Sequence, residues 1–222
     1  MVLQTVPLEQ RTDARANRER IVRAATDAFA ARGLGVEMKE IAEAAGVAVG
    51  TIYRHFPSKE DLLTAIARAM LDEAGVAIAT CNDLPDPIEG LGALIAGNLT
   101  GVARFGWLAG VLHGGQIPRH HLDELKAEME AKGFHRRFQP LLERAIAAGR
   151  LRDDLDVTVA SAMLEGATAP WTCAAVLSGR EPEQAAAAIM RVFLEGAAGP
   201  QGETVSTALV GPRRMSASAS TD

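Results

Sequence analysis

Residues 38–63 constrain this chain more than any other stretch, because they spell two short helices joined by a glycine corner and then a third helix with its own cap. Met38, Ile41, Ala42 and Ala45 recur at helical spacing and form one apolar face, and Gly46 stands where a helix ends in a left-handed residue. Val47 then fills the corner. The second helix turns Ile52 and Phe56 inward, which leaves Val49, Gly50, Thr51, Tyr53 and His55 for its outer face and its ends. So short a helix, carrying so many hydrogen-bonding groups outward, is expected to face a partner. Two helices meeting at such a corner lay the second in the major groove of DNA, with its N-terminal residues at base edges. Ser58 followed by Asp61 supplies a capping box for the next helix, whose Leu62, Leu63, Ile66, Ala67 and Met70 continue an amphipathic face.

The order of these residues resembles the tetracycline-repressor (TetR) family of transcription regulators. The DNA-binding part of that family reads Ile-Ala-x-x-Ala-Gly-Val, then Gly-Thr-Leu-Tyr-x-x-Phe, then a Pro-Ser-Lys-Glu-x-Leu run. This chain has Ile41-Ala42, Ala45-Gly46-Val47, Gly50-Thr51-Ile52-Tyr53, Phe56 and Pro57-Ser58-Lys59-Glu60-Asp61-Leu62-Leu63. The match covers roughly the first third of the chain. It implies that Tyr53 and Lys59 contact phosphate and that Thr51 and His55 lie near phosphate or base edges. Gly50 would allow close backbone approach, and Lys39 and Arg54 belong to a basic footprint with Arg11, Arg15 and Arg18. The alternative reading makes Tyr53 a ring holding the corner and His55 a surface residue, and the motif favours DNA contact for both. Three positions depart from the family pattern. Glu37 replaces a common Thr or Ser, Ala48 removes the side-chain cap of the second helix, and Val49 puts an apolar group where a polar reader is usual. Val49 is suited to a thymine methyl group.

The net charge of −5 argues against DNA only until the charges are divided by position. Residues 1–70 hold ten Lys or Arg against nine Asp or Glu, so the acidity belongs to the remainder. Phosphate binding needs local basic groups and not a basic chain. At 222 residues and 48% hydrophobic content the chain can bury a sizeable core. It opens with no charged leader before an apolar stretch and contains no long apolar run, so the cytoplasm is the expected compartment, with no membrane association. Cys81 and Cys173 lie far apart in apolar surroundings, as reduced buried thiols do. His113, His120, His121 and His135 lack metal-ligand spacing, adjacent histidines on a helix being expected to diverge. No nucleophile elbow or metal-protease motif occurs, so neither an enzyme nor a cofactor is expected.

The whole chain reads as all-α, in two parts. Residues 1–16 are expected as a flexible arm, 17–76 as the DNA-binding domain, 77–198 as a larger helical domain and 199–222 as a disordered tail. Helices are predicted over 17–32, 88–113 with an interruption, 119–148, 156–178 with a kink at Pro170, and 182–196. The family resemblance implies that the larger domain dimerises and binds a ligand. Val157, Ala160, Met163 and Leu164, with Ala185–Ala188, Ile189, Val192 and Phe193, offer small and large apolar groups for helix pairing. Phe105, Trp107, Phe134, Phe138 and Trp171 could line an apolar cavity with His113, Met129 and Thr168, although core packing is the better reading of each taken singly. The expected function is a homodimeric repressor on a palindromic DNA operator, released by a small, largely apolar effector. Two alternatives stay open: a regulator without such an effector, and a helical small-molecule-binding protein or enzyme whose N-terminal helices are structural.

Overall fold

The computed structural model describes residues 8–195, with side chains over 13–195 except that of His113. The described residues are helical, with no strand: α1 (Leu8–Arg32), α2 (Met38–Ala44), α3 (Val49–His55), α4 (Lys59–Asn82), α5 (Pro87–His113), α6 (Arg119–Ala131), α7 (Gln139–Ala147), α8 (Val157–Ala167), α9 (Pro170–Leu177) and α10 (Pro182–Glu195). Short 3-10 turns follow α1 and α6. Residues 8–16, expected in the arm, are already helical, because α1 begins at Leu8. The rest of that arm and the tail over 199–222 lie outside the described residues.

Local chemistry accounts for most element boundaries. Gly46 takes φ 64° at the corner between α2 and α3, a conformation that costs other residues about 1 kcal/mol. Ser58 Oγ accepts from Asp61 N–H while Asp61 accepts from Ser58 N–H, the expected capping box of α4. Asp86 caps α5 by accepting from Ile88 N–H at 2.9 Å, with Pro87 in the first turn. Three expectations need correction. The α5 helix runs through its glycines without interruption, since none has a positive φ. The single helix expected over 119–148 is divided by left-handed Gly133 and restarts beside Pro140. At Pro170 the chain does not kink: Ala169 is extended (ψ 151°), as a residue before proline prefers, and α9 is a new helix.

Two apolar clusters hold these helices. In the first, Ile21, Ala25 and Phe29 of α1 meet Ile41, Ile52, Phe56 and the Leu62–Leu71 face of α4, and Phe105, Leu108, Val111 and Leu125 join from α5 and α6. The second gathers Cys81, Leu91, Leu94, Phe138, Leu141, Leu164, Ala185 and Met190 from α4, α5, α7, α8 and α10. Each large side chain buried here contributes about 1.5–3 kcal/mol. The α4 helix serves both clusters. Its C-terminal carbonyls are closed by Arg144 of α7, which donates to the carbonyls of Asn82 and Leu84. A cation is favourable at a helix C-terminus.

Gly90 marks the tightest crossing. A Cβ there would stand 2.6 Å from Leu141 Cδ2 and 2.7 Å from the Cys81 carbonyl, whereas one at Gly97 meets nothing within 4 Å. Gly90→Ala should therefore cost on the order of 1–3 kcal/mol. Gly97→Ala should be neutral or stabilise by up to about 1 kcal/mol. Urea unfolding midpoints of the two variants check this ordering.

Candidate nucleic-acid interface

The outward face of α3 exists because its inward face is fully committed. Ile52 and Phe56 are buried against the first cluster, so the 3.6-residue turn directs Val49, Gly50, Tyr53 and Arg54 to solvent. Val49 is 47% and Tyr53 49% exposed, large values for such side chains on a packed helix. Neither Tyr53 nor Arg54 has a hydrogen bond or ion pair among the described residues. Thr51 and Ala48 flank this face, Thr51 half-buried and Ala48 exposed, and Ala48 caps α3 without a side-chain hydrogen bond. The result is a small apolar and polar ridge of uncommitted groups on a rigid support.

Several charges nearby are already partnered. Glu37, which departs from the family pattern, accepts the Lys39 ammonium at 3.0 Å, and this bond holds the Lys39 pKa above the usual lysine range. Both groups are exposed, so water and phosphate exchange readily into such a pair. Glu40 accepts from the Glu37 backbone N–H and from Arg32, which together keep its carboxyl below the ordinary range. Arg18 of α1 lies over the Phe56 ring at 5.1 Å, which sets a cation beside the end of α3. Sequence reasoning counted Arg18 only as part of a general footprint. Its neighbour His55 is half-buried with Nε2 lacking a partner, and burial, Arg54 and Arg18 all push its pKa below 6.5.

Lys59 sits differently from the expectation. Its ammonium donates to the Leu34 carbonyl and lies 5.5 Å from the Phe29 ring centroid, so it ties the turn after α1 to the start of α4. A lysine at a first helical turn is close enough to that turn to be drawn inward by an open carbonyl.

The eight residues expected to line an apolar cavity are dispersed. Phe105, Trp107, Met129 and Phe134 belong to the first cluster, with Trp107 5.6 Å from Phe29, while Phe138 belongs to the second. Thr168 is buried and donates to the Leu164 carbonyl at 3.0 Å. Trp171 is 78% exposed on α9, and His113 closes α5 with a side chain outside those described. None of the seven with described side chains lines either of these two hollows. The larger, about 1110 Å³, is an open groove between α8, α9 and α10, floored by Ala160, Leu164 and Ala185 and edged by exposed Val159, Met163 and Val192. His120 and His121, expected to diverge, have ring centroids 4.0 Å apart at the start of α6, where His121 faces Asp61 and Glu124. No described helix is long and apolar enough to cross a membrane, and no group of three metal-ligating side chains occurs among the described residues.

Comparison with known proteins agrees with this geometry. The family model described as bacterial regulatory proteins, tetR family, matches residues 21–66, from the buried stripe of α1 into α4. The HTH-type transcriptional repressor KstR2 of Rhodococcus jostii (strain RHA1) is 35% identical over 68 residues, 30% of this chain and 33% of that protein. The chain thus matches about a third of the length of that curated relative. Among solved structures, the TetR transcription regulatory protein from Mycobacterium vanbaalenii is 32% identical, with 84% of this chain and 98% of that one covered at a TM-score of 0.61. AibR, solved in complex with isovaleryl coenzyme A and operator DNA, shares the fold at 22% identity and a TM-score of 0.59, covering 80% of this chain and 98% of its own. With its exposed α3 ridge, its capped α4 and a full-length relative of the same kind, the chain belongs to the TetR family of DNA-binding transcription regulators.

Proposed function

We propose that this chain is a homodimeric repressor that reads a palindromic operator through α3 and leaves it when a small, largely apolar effector binds. DNA reading is assigned to residues 17–76, and effector binding and dimerisation to 77–198. The observation that carries the reading is the uncommitted α3 face: Val49, Gly50, Tyr53 and Arg54 point outward while Ile52 and Phe56 hold the helix rigid. Thr51, His55, Lys39 and Ala48 border it, and Lys59 acts by fixing the joint between α1 and α4. One such helix reads too few base pairs for useful specificity, which supports a dimer. The groove between α8 and α10, with Val159, Met163 and Val192 exposed at its edge, supports pairing with a second copy. Repression is supported by the relative named a repressor, and binding of a small molecule by AibR, whose structure holds isovaleryl coenzyme A as well as operator DNA.

A gel-shift titration with genomic fragments from around its own gene tests the reading directly, and absence of any salt-sensitive preference over random DNA rejects it. Within that assay Val49→Ala should change the ranking of operator variants by about 1 kcal/mol at one base pair. Its affinity for random DNA should hardly move. Arg54→Gln, by contrast, should weaken all sequences alike and lower the salt slope by about one.

Replacing Met163 and Val192 by Glu should yield monomers in sedimentation velocity together with loss of operator binding; an unchanged sedimentation coefficient assigns the groove another role.

The half-buried His55 sets a pH dependence. Its folded pKa lies below 6.5, so the folded state resists protonation while the unfolded chain does not. Stability is therefore full above about pH 6.5 and is lost as pH falls toward the folded value. Melting temperatures of wild type should drop more than those of His55→Gln between about pH 7.5 and about pH 5.5.

A further inference from the structure

We propose that Arg137 anchors a binding site for the acidic head, a carboxylate or phosphate, of a small organic molecule. The site deepens the effector reading above, on which its physiological meaning rests, but its geometry stands independently. It is an open hollow of about 320 Å³ lined by the end of α4, the turn after α6 and the start of α7. That volume suits a head group or a very small ligand.

Arg137 is half-buried, and its guanidinium faces two aromatic rings, Phe134 at 4.8 Å and Phe138 at 5.3 Å. Its Nη1–H donates to the Phe134 carbonyl at 2.8 Å. These contacts position the group and leave one edge unused. Nε is buried without a partner, and no carboxylate lies within 4 Å among the described residues. Nε and Nη2 form the edge of a guanidinium that takes two oxygens of a carboxylate or phosphate in parallel. Burial lowers the Arg137 pKa, and the more distant Glu165 opposes that only in part. A buried cation without a close counter-ion is costly, so an anion at this edge removes a penalty as well as adding bonds.

The other groups around the pocket agree with that charge. Lys132 and Arg136 line it, against Glu143 as its one lining carboxylate. Lys132 reaches Asp72 at 2.9 Å and Arg136 reaches Glu130 at 3.8 Å, contacts at the surface that an incoming anion can share. Asn82 adds a second requirement. Its Nδ2 donates to the Ile78 carbonyl, while Oδ1 is buried with no donor. A ligand that satisfies both Asn82 and Arg137 carries a hydroxyl or N–H beside its acidic oxygens.

The test uses the full-length protein in the absence of DNA, so that its failure is separable from failure to bind an operator. Thermal unfolding is followed in sodium phosphate, in sodium hexanoate and in sodium chloride at matched ionic strength. Phosphate or hexanoate should raise the melting temperature above chloride by roughly 2–4 °C at saturation, and which of them does so identifies the head class. Arg137→Gln should abolish the rise. If that variant does not fold, Lys132→Gln combined with Arg136→Gln, both near the surface, should reduce it. No rise over chloride in wild type overturns the site, as does a rise that the folded variants leave unchanged.

Discussion

The first apolar cluster is the constraint on which the rest depends, because it joins α3 to the body of the protein without a seam. Ile52 and Phe56 of α3 are buried in the same cluster as Phe29 of α1, Leu62 and Ile66 of α4, and Phe105 and Leu108 of α5. Close-packed interiors do not deform smoothly. The position of α3 is thus set partly by α5 and α6, although these lie outside the helix-turn-helix. Ion pairs repeat the linkage at the surface: Arg68 of α4 binds Glu128 of α6 at 2.9 Å and also Glu124, and Arg104 of α5 reaches Glu73 at 2.9 Å.

Some of the polar atoms left without partners lie beside the outer face of α3 and around the small pocket at the far end of α4. Tyr53 and Arg54 are uncommitted on the outer face of α3, and His55 Nε2 is enclosed beside Arg18 and Arg54. At the far end of α4, Asn82 Oδ1 and Arg137 Nε are enclosed around a small pocket. Asn98 Nδ2, Trp107 Nε1 and His121 Nδ1 are also buried without a hydrogen-bond partner, whereas Thr26, Thr64 and Thr168 donate to carbonyls one turn back. A buried polar group without a protein partner is a place where a ligand or water completes the hydrogen bonding.

Much of the head was legible because its signals are short-range. The Ser58–Asp61 box, left-handed Gly46 and the uncapped Ala48 all behave as their local chemistry requires. The body was less legible, since its alanine-rich helices carry weak boundaries and its aromatics carry no periodic address. Phe105 and Phe138 fall in different clusters and Trp171 in neither, although composition groups all three. The start of α1 was missed because Leu8–Asn17 is polar, and a polar segment extends a helix whose later turns are already anchored by Ile21, Ala25 and Phe29.

By itself, then, the sequence determined the all-helical class, the corner between α2 and α3, and which face of α3 remains outside. Those follow from side-chain spacing of three and four residues and from a single left-handed glycine, interactions confined to neighbours along the chain. Only the tertiary structure decided that Lys59 turns to the Leu34 carbonyl, that Arg144 closes α4, and that Arg137 keeps an open edge between two rings. These depend on groups that meet across separate helices, where the outcome is set by packing and by which carbonyl or carboxylate comes within reach, and no periodicity encodes that distance.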